Sequence, residues 1–356
     1  MILTDADHAV RPGPKNALTD VAGLAVGNAQ DPSIRSGVTV VHCVEGSAVT
    51  AVDIRGGGPG TRETDAIGLG RLVKTADAIV LSGGSAFGLE AAGGLQNWLA
   101  QRGQGFNTGA ACVPIVPTAI LYDLANGGDK SFTTASPLDS SPFRRLGVEA
   151  IETASDHFET GTSGAGYGAR AGALQGGLGT ASAFDPATGA TIAALVAVNS
   201  FGDVTGPDGR FFSASIEQDG EFGGFGPSAE PLSLEPQFPK LQRQKGVGTA
   251  SMNTTLAVVA TDSDLDHGDA HRIAVMAQAG CARAIRPIFT PFDGDTIFSV
   301  ATGKTPKPDA VGVTRIGSIA ADCLARAVAI GVFSARTVDA SWPSWRDRYP
   351  EFNATR

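Results

Sequence analysis

Residues Thr191 to Asn199 read TIAALVAVN, apolar nearly throughout and without the alternation of a half-exposed strand. A strand of that composition is covered on both faces, so the chain must build layers above and below it. Other strand-like runs are Gly37–Cys43, Ala48–Ile54, Ala78–Leu81, Gly172–Ala183, Thr254–Thr261 and Asp295–Thr302. Helix-like runs fall between them, at Ala86–Arg102, Leu146–Ser155, Asp266–Ile285 and Val311–Ser334. The first carries Leu89, Ala92, Leu95 and Leu99 at helical spacing. Asp266 and Asp269 suit the start of the third, where free N–H groups favour carboxylates. Strands and helices in this order fit two stacked sheets faced by helices, and equally a doubly wound parallel sheet.

Between these runs lie many glycines, 47 in 356 residues. Set among clear apolar segments, they read as tight turns and close backbone approach rather than disorder. Gly220 to Gly248 differs: it holds four prolines and few periodic apolar positions, and reads as a long exposed loop. Ala335 to Arg356 reads as a polar tail. There is no internal repeat, and the whole chain, 1–356, reads as a single domain.

The net charge of −9, without any basic run, argues against nucleic acid or an anionic membrane as partner. Met1 to Val21 is polar and contains proline, and no apolar run reaches the roughly 18 residues of a spanning helix. Those features predict a soluble, cytoplasmic protein. Cys43, Cys112, Cys281 and Cys323 are far apart and read as buried free thiols.

Several familiar motifs fail on spacing. Gly83-Gly84-Ser85-Ala86-Phe87-Gly88 sits at a strand-to-helix turn, but a serine elbow needs glycine where Phe87 stands. A dinucleotide fingerprint needs glycine at Ser85. Arg55 to Arg62 is glycine-rich yet lacks the G-K-[ST] ending of a phosphate loop. His267 and His271 could pair on a helix face, but no third ligand is near in sequence, and a solvated helix start is the simpler reading. No cofactor or metal is expected.

One constellation holds. Thr254 opens a strand directly after the long loop, in Asn253-Thr254-Thr255-Leu256. Further on, Thr290-Pro291-Phe292-Asp293-Gly294-Asp295-Thr296 carries two carboxylates that can point the same way on an extended segment. Alone, these are a strand start and an Asp-Gly turn. Together, they offer a hydroxyl and a pair able to orient an ammonium or hydroxyl.

With further stretches, they carry a resemblance. The chain is similar to the P1-family peptidases, the group of L-aminopeptidase/D-amidase/esterases, β-peptidyl aminopeptidases and nylon-oligomer endo-hydrolases. The matching stretches are Asn16–Val21, Asp53–Asp65, Leu81–Gly94, Pro114–Leu124, Val198–Val204, Asn253–Asp262 and Arg283–Phe298. The resemblance implies an αββα sandwich like that of N-terminal-nucleophile hydrolases but differently connected, similar also to the ornithine acetyltransferase fold. It makes Thr254 the nucleophile and Asn253-Thr254 a self-cleavage bond, giving chains 1–253 and 254–356. It makes Asn199 the oxyanion-hole asparagine, Tyr122 the active-site tyrosine, and Asp293 and Asp295 the pair that holds the nucleophile, with Asp295 favoured for the contact to its amine. The implied activity is hydrolysis of small peptides or amides through an acyl-enzyme. Transfer of the same acyl group to an amine is the alternative. The implied assembly is a homo-oligomer of four αβ units. Two departures stand out: nylon-hydrolase-like members have a lysine near Ala173, and strict aminopeptidases carry a glutamate within the segment that is Val116–Ile120 here. This chain has neither.

Overall fold

The computed structural model describes residues 9–136, 141–238, 240 and 252–353. Fifteen strands and five α-helices are set out in chain order. They are β1 (Leu24–Asp31), β2 (Ser36–Cys43), β3 (Ala48–Ile54), β4 (Thr61–Arg62), β5 (Thr75–Ala76), β6 (Ala78–Ser82) and α1 (Ala91–Ala100). Next come β7 (Phe106–Asn107), β8 (Cys112–Val113), β9 (Thr118–Ile120), α2 (Pro142–Glu152), β10 (Arg170–Ala171), β11 (Leu174–Gln175), β12 (Gly177–Asp185) and β13 (Ala190–Asn199). The last are β14 (Thr254–Ser263), α3 (His267–Ala284), β15 (Thr296–Thr305), α4 (Ala310–Phe333) and α5 (Trp345–Arg348).

One sheet has the order β1-β2-β6-β9-β4 and the other β12-β13-β14-β15-β3-β5. The period-two alternation of a strand decides how they stack. On β13, Ile192, Ala194, Val196 and Val198 pack toward α3 and α4, while Ala193, Leu195 and Ala197 pack toward the first sheet. On β2, Val38 and Val40 meet α1 and α2, and Val41 and Cys43 face the second sheet. Three apolar layers therefore separate four structural ones: helices, sheet, sheet, helices. That is the αββα sandwich. The doubly wound parallel alternative fails, because only β6–β9 and β14–β15 pair in parallel within the two sheets.

Three sequence expectations need correction. The tail is no loose polar segment: Trp345 is fully buried and stacks with Phe211 and Phe225. His267 is buried rather than solvated, with Nε2 2.9 Å from the Ile67 carbonyl, and His271 Nδ1 meets a different carbonyl, that of Val52. Finally, α4 is long and apolar enough to cross a membrane by composition, with a mean hydropathy of 1.7. It is the core helix of the second sheet, and 83% of that apolar window is buried inside the protein.

Strand direction builds one corner of this sandwich. A parallel β14–β15 pair joined by α3 brings the N-terminal ends of both strands side by side. Antiparallel β13 adds its C-terminal end, pairing Asn199 with Thr254. Antiparallel β3 adds another, pairing Ile54 with Thr296. Four remote segments thus meet at one end of the second sheet.

Candidate active site

Thr254 is the first residue of β14 and is buried, with Oγ1 hydrogen-bonded to the carbonyl oxygen of Asn253. The 253–254 peptide unit is held firmly. The Asn253 N–H donates to the Phe292 carbonyl at 2.8 Å, and the Asn253 carbonyl accepts from the Gly294 N–H at 2.8 Å. Gly294 also leaves the space that Thr254 fills: a Cβ there would lie 2.6 Å from Thr254 Oγ1. The Asp293-Gly294 pair is therefore more than a turn. It offers a backbone donor to the one carbonyl that the threonine hydroxyl touches.

The two carboxylates do different things. Asp293 Oδ2 accepts from the N–H and hydroxyl of Thr290, at 2.8 and 2.7 Å, and its Oδ1 accepts from the Phe201 N–H at 3.3 Å. Asp293 ties its own loop to the end of β13. Asp295 Oδ1 accepts from the Thr255 N–H at 2.6 Å, one residue past Thr254, and Oδ2 from the Phe289 N–H at 3.2 Å. Burial, and then the charge of Asp293, push the Asp295 carboxyl up to about 7. The glycine cluster after β3 backs this loop: Gly58 N–H donates to the Asp293 carbonyl at 2.7 Å, and Arg55 N–H to that of Asp295 at 3.0 Å.

On the other side, the buried Asn199 side chain spans the two sheets. Its Nδ2 donates to the Tyr122 carbonyl at 3.0 Å, and its Oδ1 accepts from the Arg170 N–H at 2.9 Å. The amide nitrogen carries two hydrogens, so one remains for a further acceptor. Tyr122 follows β9 of the first sheet and is half-buried. Tyr122, Arg170, Asn199, Lys240 and Asn253 line a cavity of about 30 Å³. That is room for about one water molecule.

The family-model match to "Peptidase family S58" covers residues 16–342. The chain belongs to peptidase family S58. An "uncharacterized aminopeptidase" of Mycobacterium tuberculosis is 42% identical over 94% of this chain and 98% of its own length. A 6-aminohexanoate-oligomer endohydrolase of Kocuria sp. is 28% identical, covering 87% of this chain and 84% of the relative. Among solved structures, a Burkholderia sp. β-aminopeptidase superposes with a TM-score of 0.68 at 18% identity, over 97% of this chain and 95% of that one. The L-aminopeptidase D-Ala-esterase/amidase of Ochrobactrum anthropi gives 0.64 at 18% identity, over 92% and 88%, and is described as a variant of the Ntn hydrolase fold. The P1-family resemblance and the sandwich fold both stand, and the S58 chain is a hydrolase of peptide or amide bonds. The named matches are to peptidases and amide hydrolases, which leaves the acyltransferase alternative without support.

For this family member, the structure brings Thr254, Asn253, Asn199, Asp293, Asp295 and Tyr122 to one corner. The sequence reading missed Gly294, Arg170 and Lys240. Lys240 belongs to the stretch read as an exposed loop. Residues 229–237 of that stretch are indeed exposed, but Phe222 and Lys240 are buried, and 239 and 241–248 lie outside the described residues. Ser85 keeps one property of a nucleophile elbow, a φ of +54°. Asp123, a buried acid bonded to the neighbouring Gly84 N–H at 2.8 Å, is also committed to Ser36 Oγ at 2.6 Å.

Proposed function

We propose that this S58 peptidase cuts its own chain between Asn253 and Thr254 and then hydrolyses small peptides or amides with the freed Thr254. The observation that carries this reading is the contact of Thr254 Oγ1 with the Asn253 carbonyl, whose oxygen already accepts the Gly294 N–H. In the cut, the Thr254 hydroxyl oxygen bonds to the Asn253 carbonyl carbon and the C–N bond breaks. The hydroxyl proton ends on the Thr254 nitrogen. Water then hydrolyses the resulting ester, leaving a carboxylate at Asn253 and a free amine and hydroxyl at Thr254.

The new amine is the base that turnover needs. A free α-amine has a pKa of about 7.7–8.0, so near neutrality it can accept the hydroxyl proton and return it to a leaving amine. Asp295, already bonded to the next N–H along the strand, is the carboxylate best placed to orient that amine, with Asp293 fixing the loop. The second N–H of Asn199 serves the developing oxyanion; loss of one such donor typically costs about 10²–10³ in rate. Thr254 is only 3% exposed in the uncut chain, which supports an order in which turnover follows the cut.

The test is intact mass and N-terminal sequencing, paired with a panel of free and N-blocked p-nitroanilides. Wild type should yield a piece beginning Thr-Thr-Leu. Thr254→Ala should abolish both cutting and turnover, and Thr254→Ser should cut in part. Ser85→Ala should leave both intact. An uncut chain with full activity, or activity lost with Ser85 and kept without Thr254, would sink the reading.

A further inference from the structure

The Lys240 ammonium is 4% exposed, yet it is not an ion-pair lysine of the usual kind. Its Nζ donates to two uncharged oxygens: the side-chain Oδ1 of Asn253 at 2.5 Å and the Arg170 carbonyl at 2.7 Å. A buried amine on two carbonyls is costly, because the ammonium gives up water for uncharged oxygens, with the Asp293 and Asp203 carboxylates acting only from further off. Such a group is kept where its hydrogen bonds hold something in place. What it holds is the scissile residue. The Asn253 backbone is fixed on the other side by Phe292 and Gly294, and the ammonium adds an anchor on its side chain.

We infer that Lys240 is a positioning residue for cleavage of the 253–254 bond. From a position thirteen residues before Asn253, its ammonium locks the Asn253 side chain and sets a positive charge close to the carbonyl that Thr254 attacks. This rests on the self-cleavage reading and goes beyond it. The lysine is not consumed. The negative charge that forms on the Asn253 carbonyl oxygen is met directly by the Gly294 N–H and at longer range by the ammonium, and it disappears when the C–N bond breaks.

The charges facing the amine are few. Arg170, on β10, opposes protonation; Asp293, before β15, and Asp203, after β13, favour it. Burial, with Arg170 acting the same way, outweighs the two carboxylates and brings the amine down to about 7. The ammonium is therefore present below neutrality and lost as pH rises through about 7. An arginine at this position stays charged throughout.

Self-cleavage is followed by intact mass on freshly prepared wild type, Lys240→Met and Lys240→Arg between pH 5.5 and 9, with melting temperature recorded for each. Met, of similar length and apolar, should slow cutting at least tenfold at pH 6.5 in a folded chain. Arg should cut faster than Met and should lack the alkaline decline that wild type shows above about 7. If wild type does not cut at all, the self-cleavage reading fails and takes this inference with it. If wild type cuts but folded Lys240→Met matches its rate and pH profile, this inference alone is wrong. Should Met fail to fold, equal pH profiles for Arg and wild type would equally overturn it.

Discussion

Asp295 ties the chemistry of the site to the stability of the fold. Its carboxyl ionises near 3.9 in an unfolded chain and near 7 in the folded one, chiefly because it is buried and secondarily because Asp293 is close. Below about 4 it is protonated in both states. Between about 4 and 7 the folded chain holds a proton that the unfolded chain has released, so stability falls as pH rises across that window. Thermal melts of Thr254→Ala, chosen to keep the chain uncut, should show that decline. Adding Asp295→Asn should flatten it, because the amide does not titrate. Equal slopes in the two proteins would show that the carboxyl is not shifted. Thr254 and the Asp293–Asp295 pair were legible in the sequence as a hydroxyl opening a strand and two carboxylates on an extended segment, whereas Asn253, Asn199 and Tyr122 came in only through the family resemblance. Gly294 was read only as a turn because it acts through its N–H and its missing side chain. Lys240 was hidden because a loop lysine gives no local sign that tertiary packing will bury it.

Elements were legible where their periodicity was undisturbed. The Val311–Ser334 expectation matches α4, Ala310–Phe333, almost residue for residue, and Thr191–Asn199 is β13 but for one residue. By contrast β1 escaped notice, because Gly27 and Asn28 interrupt its apolar run. That glycine is required by a helix, not by a turn: a Cβ at Gly27 would lie 1.8 Å from the Ala150 carbonyl oxygen of α2. Single-sequence patterns cannot tell such a close approach from a strand breaker. The same device sets the α3–α4 crossing, where a Cβ at Gly280 would lie 2.1 Å from the Ala321 carbonyl oxygen. Gly280→Ala must push the helices apart despite alanine's better helix propensity. A loss of about 1–3 kcal/mol is expected for such overpacking. The urea midpoint should drop accordingly, and an unchanged or raised midpoint would mean that the helices can separate freely.

At the scale of the molecule, a cut at 253–254 falls in the centre of a sheet, and the consequence is unusual. The 254–356 piece contributes β14 and β15, which lie between β13 and β3 of the other piece. Eight residue pairs join β13 to β14, from Ile192↔Thr261 to Asn199↔Thr254, and six join β15 to β3. Each piece thus closes the other's open strand edges, which would be exposed if they parted. On the helical side, α4 packs on β12 and β13, and its Arg326 sends Nε and Nη2 to Glu221 at 2.6 and 2.7 Å. The same guanidinium reaches Asn16 Oδ1 at 2.8 Å and the Ser182 carbonyl at 3.0 Å. This ion pair is nearly inaccessible, with side-chain exposures of 4% and 9%, so salt screens it weakly. None of these contacts crosses the 253–254 bond itself, so cutting removes one covalent link and leaves the packing in place. The two pieces should therefore elute together from a sizing column in native buffer, even at high salt, and separate only in denaturant. Elution as two species in native buffer would mean that the second sheet does not survive the cut.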